Sequence, residues 1–180
     1  MAKSKVKKIA VVGPESTGKS TMARYLAHHF GTLAIPEYSR YYCEDLNREY
    51  TLQDEVNMFY GQIALEKALL PLARNHLVVC DTTILTVKIW CDHLFQHTPE
   101  KILKEIQTRE YTGYLLMNID LPWEDDPLRD FPEEREHFMS VWEKELDALQ
   151  VPYIKVSGLD SMRQQNGLSA AQKLLDTHNE

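Results

Sequence analysis

The segment Gly13-Pro14-Glu15-Ser16-Thr17-Gly18-Lys19-Ser20 constrains this chain more than any other. It follows a short apolar run, Ile9-Ala10-Val11-Val12, and opens a stretch from Ser20 to Phe30 that carries Met22, Tyr25, Leu26 and Phe30 at helical spacing. A continuous apolar run of this length suits a central parallel strand covered on both faces. Glycines at 13 and 18 let the backbone turn so that successive N–H groups point inward at an anion. The helix that follows presents its positive end to the same anion. The pattern is a complete P-loop, in which Lys19 places its charge on the β- and γ-phosphates and the Ser20 hydroxyl ligates Mg²⁺. The expected nucleotide cradle is Gly13, Glu15, Ser16, Thr17, Gly18, Lys19, Ser20 and Thr21, with ATP and Mg²⁺ as cofactors.

The rest of the chain alternates between the two periods. Leu33–Ile35, Leu77–Cys80, Tyr114–Ile119 and Tyr153–Val156 read as further strands. Helical patterns cover Thr51 to about Ala73, Ile84–Phe95, Pro99–Arg109 and Glu134–Leu149, and Thr51 to Asp54 is a capping signal. Strands that alternate with helices imply right-handed βαβ units. The expected fold is α/β: a three-layer P-loop NTPase fold with a mostly parallel five-stranded sheet and a lid. No repeat or linker divides the 180 residues, so one kinase domain is expected over 1–180, its lid at about 121–135.

Twenty Lys and Arg against 27 Asp and Glu leave a net charge of −7. Such a field repels polyanions, which argues against nucleic acid or an anionic membrane as partner. It leaves room for a small anionic ligand held by a few oriented N–H groups. Cys43, Cys80 and Cys91 have no paired spacing, as expected of a reduced, cytoplasmic protein. The basic start at Lys3, Lys5, Lys7 and Lys8 is followed by too short an apolar run for a signal peptide. No run approaches the ~20 apolar residues that span a bilayer.

Asp81 directly follows the Leu77–Cys80 strand. Carboxyl ends of parallel strands line the ligand crevice, so Asp81 is expected beside Mg²⁺ or its water shell. An N-cap for the next helix is the alternative role. Glu37, just past the second strand in Pro36-Glu37-Tyr38-Ser39-Arg40, borders the same crevice. There it could take a proton from an acceptor hydroxyl or hold a ribose diol. Arg40 is read as a ligand for substrate phosphate or a clamp on Glu37, or else the two form a surface pair worth little, three residues apart at a helix start. The polar stretch Leu121 to Glu133 reads as a lid, with Arg129 and Arg135 placed to stabilise a transferring phosphoryl group, or else as a solvated loop whose arginines pair with its own acids. Catalytic roles therefore fall to Lys19, Glu37, Asp81, Arg129 and Arg135. Acceptor contacts fall to Glu37, Tyr38, Arg40, Asp81 and Trp123, the sequence leaving open which of Tyr38, Tyr41 and Trp123 offers a ring face. His93 and His97, four apart on a helical pattern, lack the intervening Glu of a zinc protease and read as surface histidines.

Taken together, the P-loop in its Pro14-Glu15-Ser16 form, Pro36-Glu37-Tyr38-Ser39-Arg40, Cys80-Asp81-Thr82-Thr83, Trp123-Glu124-Asp125-Asp126-Pro127-Leu128-Arg129 and Val151-Pro152-Tyr153-Ile154 run in order along nearly the whole chain. In this it resembles the NadR-type ribosylnicotinamide kinase family. The resemblance implies a nucleotide-kinase fold with a lid, and ATP-dependent phosphorylation of the 5′-hydroxyl of nicotinamide riboside to nicotinamide mononucleotide for NAD synthesis. Two positions depart from the family pattern: Thr83 stands where a second acid is usual, and Pro127 where Gly is. Adenylyltransferase and DNA-binding activities of the fused family members are not carried over. Rival readings are a kinase for another nucleoside or nucleotide, and a nucleotide-sensing module without an acceptor.

Overall fold

A computed structural model describes residues 5–177. Five strands form one sheet: β1 (Lys7–Val12), β2 (Ala34–Ile35), β3 (Leu77–Asp81), β4 (Gly113–Met117) and β5 (Tyr153–Val156). Their order is β2-β3-β1-β4-β5, and every pairing is parallel. Around them lie α1 (Lys19–His29), α2 (Tyr38–Glu44), α3 (Leu52–Leu69), α4 (Leu85–Phe95), α5 (Glu100–Thr108), α6 (Arg135–Ala148) and α7 (Asp160–Asp176).

The period-2 alternation of β1 sorts the helices into layers. Ile9 and Val11 face one side, where Met22 and Leu26 of α1 meet Ala171 and Leu174 of α7. Ala10 and Val12 face the other, against α3, α4, α5 and α6 through Phe59, Ile89, Ile102 and Trp142. All four residues are fully buried. Ile9, Val11 and Val12 each contribute about 1.5–3 kcal/mol on leaving water, and Ala10 less, which is why this stretch of the central strand is apolar on both faces. The three-layer α/β expectation holds, with a sheet that is parallel throughout.

Differences from the expected elements have local causes. The long helix stops at Leu69 rather than near Ala73, because Pro71 draws the chain into a 3-10 turn over Leu70–Leu72. The fourth strand ends at Met117, two residues early. Segment Tyr38–Glu44, expected only as a helix start, is a complete two-turn helix, and α7 was not expected at all. Thr51 and Asp54 do begin α3: the Asp54 carboxylate accepts the Thr51 N–H at 2.8 Å. Cys43, Cys80 and Cys91 are free thiols. Among the described residues no helix is long and apolar enough to cross a membrane.

Candidate active site

The C-terminal ends of β1, β2, β3 and β4 open on a cavity of about 1510 Å³. Gly13 leaves β1 at φ 137°, and a Cβ there would stand 2.8 Å from the Met117 carbonyl oxygen, so the first turn of the loop requires glycine. Gly18 continues it at φ 76° and immediately precedes α1. Inside the loop the Thr17 hydroxyl donates to the Pro14 carbonyl at 2.8 Å, and the Lys19 ammonium reaches the same oxygen at 2.7 Å. The whole expected cradle, from Gly13 through Thr21, borders the cavity.

Asp81 ends β3 at the cavity wall, 6% exposed, and its Oδ1 has no hydrogen-bond partner. Burial, then the charge of Glu37, push its carboxyl up to about 6, while the Ser20 hydroxyl, Lys19 and Arg24 pull the other way. A buried carboxylate oxygen without a partner, beside a hydroxyl that hydrogen-bonds the same group, is the oxygen donor set a Mg²⁺ ion takes. Ser20 and Asp81 therefore fit that ion. The N-cap alternative for Asp81 fails, because α4 starts only at Leu85. The N-cap is Ile84, and the Thr83 hydroxyl just ahead of it accepts the Leu85 N–H at 3.2 Å. That departure from the family pattern thus has a structural use. Between them Thr82 is held at φ 68°, outside the ordinary regions for a β-branched residue, with its N–H on the Val11 carbonyl at 2.9 Å.

Glu37 lies at the cavity edge just before α2, its Oε1 accepting the Ser39 hydroxyl at 2.8 Å. Arg40 does not clamp Glu37 as one expectation had it. It crosses to the lid and pairs with Asp126. Tyr38, expected on the acceptor side, turns away from the cavity: its ring occupies the space over Gly61 of α3, where an added Cβ would collide with it. Tyr41 and Trp123 do border the cavity.

The lid segment rests on the P-loop. The Ser16 hydroxyl accepts the Glu124 N–H at 2.9 Å, and Glu15 Oε2 accepts the Asp130 N–H at 2.8 Å. Burial pushes the Glu15 carboxyl up to about 7, with the Asp130 N–H and Lys19 opposing. Arg129 donates to the Glu124 carbonyl at 2.6 Å and also faces Asp126 at 3.8 Å. Arg135 donates to the Ser16 carbonyl at 3.1 Å and the Leu121 carbonyl at 2.9 Å. Both arginines therefore stand beside the P-loop, and Arg129 additionally pairs with acids of its own segment. Trp123 is half-buried, its ring centroid 6.0 Å from the Arg135 guanidinium carbon.

Two features had no signal in the sequence. Arg163 of α7 is 5% exposed, pairs with Asp120, and donates to the carbonyls of Thr17 and Asn118 at 2.8 Å each. It braces the P-loop from beneath, yet it stands alone in a polar stretch with no motif around it. Glu55 of α3 is 1% exposed and borders the cavity among Met58, Trp90 and Phe95, accepting a hydrogen bond from the Tyr50 hydroxyl. Burial pushes its carboxyl up to about 8. The Tyr50 and Phe95 rings beside it are nearly parallel, with centroids 6.0 Å apart.

Comparison with known proteins agrees with this geometry. The family model described as AAA domain matches residues 8–163. The trifunctional NAD biosynthesis/regulator protein NadR of Escherichia coli (strain K12) is 24% identical over 166 residues, covering 86% of this chain and 39% of NadR. Among solved structures, a NadR protein in complex with NR superposes with a TM-score of 0.79 at 20% identity, over 93% of this chain and 50% of that one. A deoxyadenosine kinase from M. mycoides gives 0.65 at 16% identity, over 94% and 99%. The chain thus spans half or less of the NadR proteins it matches, and shares its fold with nucleoside kinases along their full length. It belongs to the AAA domain family, as a NadR-type, kinase-like P-loop domain.

Proposed function

We propose that this protein transfers the γ-phosphoryl group of ATP to the 5′-hydroxyl of a nucleoside, nicotinamide riboside being the acceptor that its cavity suits best. One observation carries the reading: the partnerless buried Oδ1 of Asp81 lies beside Ser20 and within the field of Lys19, on the wall of a cavity that extends well past the phosphate cradle. A domain that only sensed nucleotide would not need that extra space.

The P-loop N–H groups and Lys19 hold the β- and γ-phosphates, so Lys19 must exchange the Pro14 carbonyl for phosphate oxygen. Bound by Ser20 and Asp81, Mg²⁺ would supply charge neutralisation at the phosphate oxygens. Glu37, steadied by Ser39, accepts the proton of the acceptor hydroxyl. The new P–O bond then forms to that oxygen as the γ-phosphorus separates from the β,γ-bridging oxygen, which leaves with ADP. Arg129 and Arg135, already beside Ser16, offset the charge on the transferring group.

Acceptor choice follows from the second half of the cavity. Trp90, Phe95 and Phe131 line it, together with the buried carboxyl of Glu55. Aromatic rings suit a flat cationic ring, as the pyridinium of nicotinamide riboside is, through cation–π attraction. The relative solved with NR is consistent with this reading.

Purified protein, ATP-Mg²⁺ and a mixture of nucleosides, followed by mass spectrometry of the products, tests it. Nicotinamide mononucleotide is the expected main product. A phosphorylated deoxynucleoside in its place would reassign the acceptor. ATP binding without any phosphorylated product would leave a sensor.

A further inference from the structure

Beyond the P-loop, the last turn of α4 and the root of the lid bring His93, Glu134 and His137 together. One ligand atom from each lies within 4.8 Å of the other two, and His93 Nε2 is 4.0 Å from Glu134 Oε2. His93 comes from α4, Glu134 from the 3-10 turn Pro132–Glu134, and His137 from the first turn of α6. His97, the partner suggested by spacing, is not part of the group, because α4 ends at Phe95 and Gln96 turns left-handed at φ 50°. We propose that His93, Glu134 and His137 bind a transition-metal ion of the Zn²⁺ class.

The donor set is specific. Two imidazoles and one carboxylate match a borderline-soft ion, with a remaining position for water, whereas Mg²⁺ and Ca²⁺ select oxygen ligands. Bonds of about 2.0–2.2 Å to a tetrahedral ion set ligand atoms roughly 3.3 Å apart. The His93–Glu134 separation of 4.0 Å exceeds that by about 0.7 Å and the others by at most about 1.5 Å, distances within reach of rotating Glu134 and the exposed His137 side chain. His93 needs no such adjustment. It is fixed between the rings of Phe131 and Phe138, with centroids at 4.9 and 4.8 Å. The C-terminal end of α4 and the neighbouring Glu133 and Glu136 add negative potential, which the N-terminal end of α6 and Arg135 partly offset.

Arg135 sits in the chain between Glu134 and His137. An ion here staples the root of the lid to α4 and restricts the arginine that holds Ser16. That consequence rests on the phosphotransfer reading, but metal binding does not.

The test is a Zn²⁺ titration of the full chain against a chromophoric chelator, with millimolar Mg²⁺ present to fill oxygen sites, and a parallel Co²⁺ titration read by visible absorption. Expected are a single equivalent of Zn²⁺ and the intense Co²⁺ band of four- or five-coordinate geometry. His93→Ala and His137→Ala should each weaken Zn²⁺ binding by more than about 100-fold, beyond the range of an outer-shell change, and Glu134→Gln by about 10-fold or more. His97→Ala should change nothing. His137 is exposed, so its variant keeps the fold, which circular dichroism checks. Unaltered Zn²⁺ affinity in folded His137→Ala, or loss of binding only with Cys43→Ser, overturns the site. Zn²⁺ binding in a protein that phosphorylates no nucleoside would uphold it and remove only the kinase reading.

Discussion

Arg40 and Asp126, 86 residues apart in sequence, form an ion pair that ties α2 to the lid across the mouth of the cavity. With a side chain of 44% exposure on the arginine, the pair adds little to global stability, about 0–1 kcal/mol. Its effect is positional. Asp126→Asn is expected to raise KM for both substrates by roughly 2- to 5-fold, since each 1.4 kcal/mol of lost closure is tenfold and the pair supplies at most about 1 kcal/mol, while urea unfolding hardly moves. Charge reversal at both positions should recover part of the loss. Additive single and double variants in a double-mutant cycle would show that the pair plays no part in closure.

Lys19→Ala should reduce kcat by about 1000-fold, close to 4 kcal/mol of transition-state stabilisation. In the ligand-free protein Lys19 touches only the edge of the P-loop at the Pro14 carbonyl, so the fold should survive. Lys19→Arg should not rescue, because a planar fork cannot replace a compact ammonium in a cradle this tight. Wild-type turnover in folded Lys19→Ala protein would rule out the phosphate role.

Glu55, Glu15 and Asp81 are all pushed up, to about 8, 7 and 6. Each binds a proton more tightly folded than unfolded. Its favourable contribution is therefore fully present below the ordinary carboxylate range and is lost as pH rises through the folded value. The ligand-free protein should thus lose thermal stability steadily from about pH 5 to pH 8, the reverse of simple acid denaturation. Glu55→Gln, which keeps the shape without the ionisation, should flatten the upper part of that slope. A melting profile that rises over this interval, or one unchanged by Glu55→Gln, contradicts the assignment.

Sequence patterning was informative wherever one physical requirement dominated. Ile9–Val12 and Leu77–Cys80 are apolar on both faces because they are covered on both faces, and they became β1 and β3 with Asp81 at the expected end. Glycines 13 and 18 announced the cradle because a Cβ at 13 would collide with the Met117 carbonyl and because 18 sits at φ 76°. Tyr38 was misplaced for the opposite reason. Its neighbours Glu37 and Ser39 do face the cavity, but at the start of a helix adjacent residues diverge by about 100°, and only Gly61, far along the chain, supplies the slot that takes the ring. Arg40 was legible as a cation near the crevice, but not as the partner of Asp126, since nothing local encodes a pairing across 86 residues. α7 went unread because its apolar positions are sparse and one face is solvated, with Met162 62% exposed.

Arg163 carries the last expectation. Its guanidinium is buried and serves four oxygens at once: the Asp120 carboxylate and the carbonyls of Thr17, Asn118 and Gly158. Arg163→Met keeps the stem but removes every donor, stranding a partly buried acid and three backbone acceptors. Breaking such a pair from one side costs about 3–5 kcal/mol, and Asp120, with 28% exposure, places this case at the low end. Because Thr17 belongs to the phosphate cradle, ATP affinity should fall along with stability. Asp120→Asn separates the two effects: it leaves the bond from Arg163 to Thr17 in place, so it should lower the urea midpoint with little change in ATP binding. Equal losses of ATP affinity in both variants would mean that Arg163 supports the fold in general and not the loop in particular.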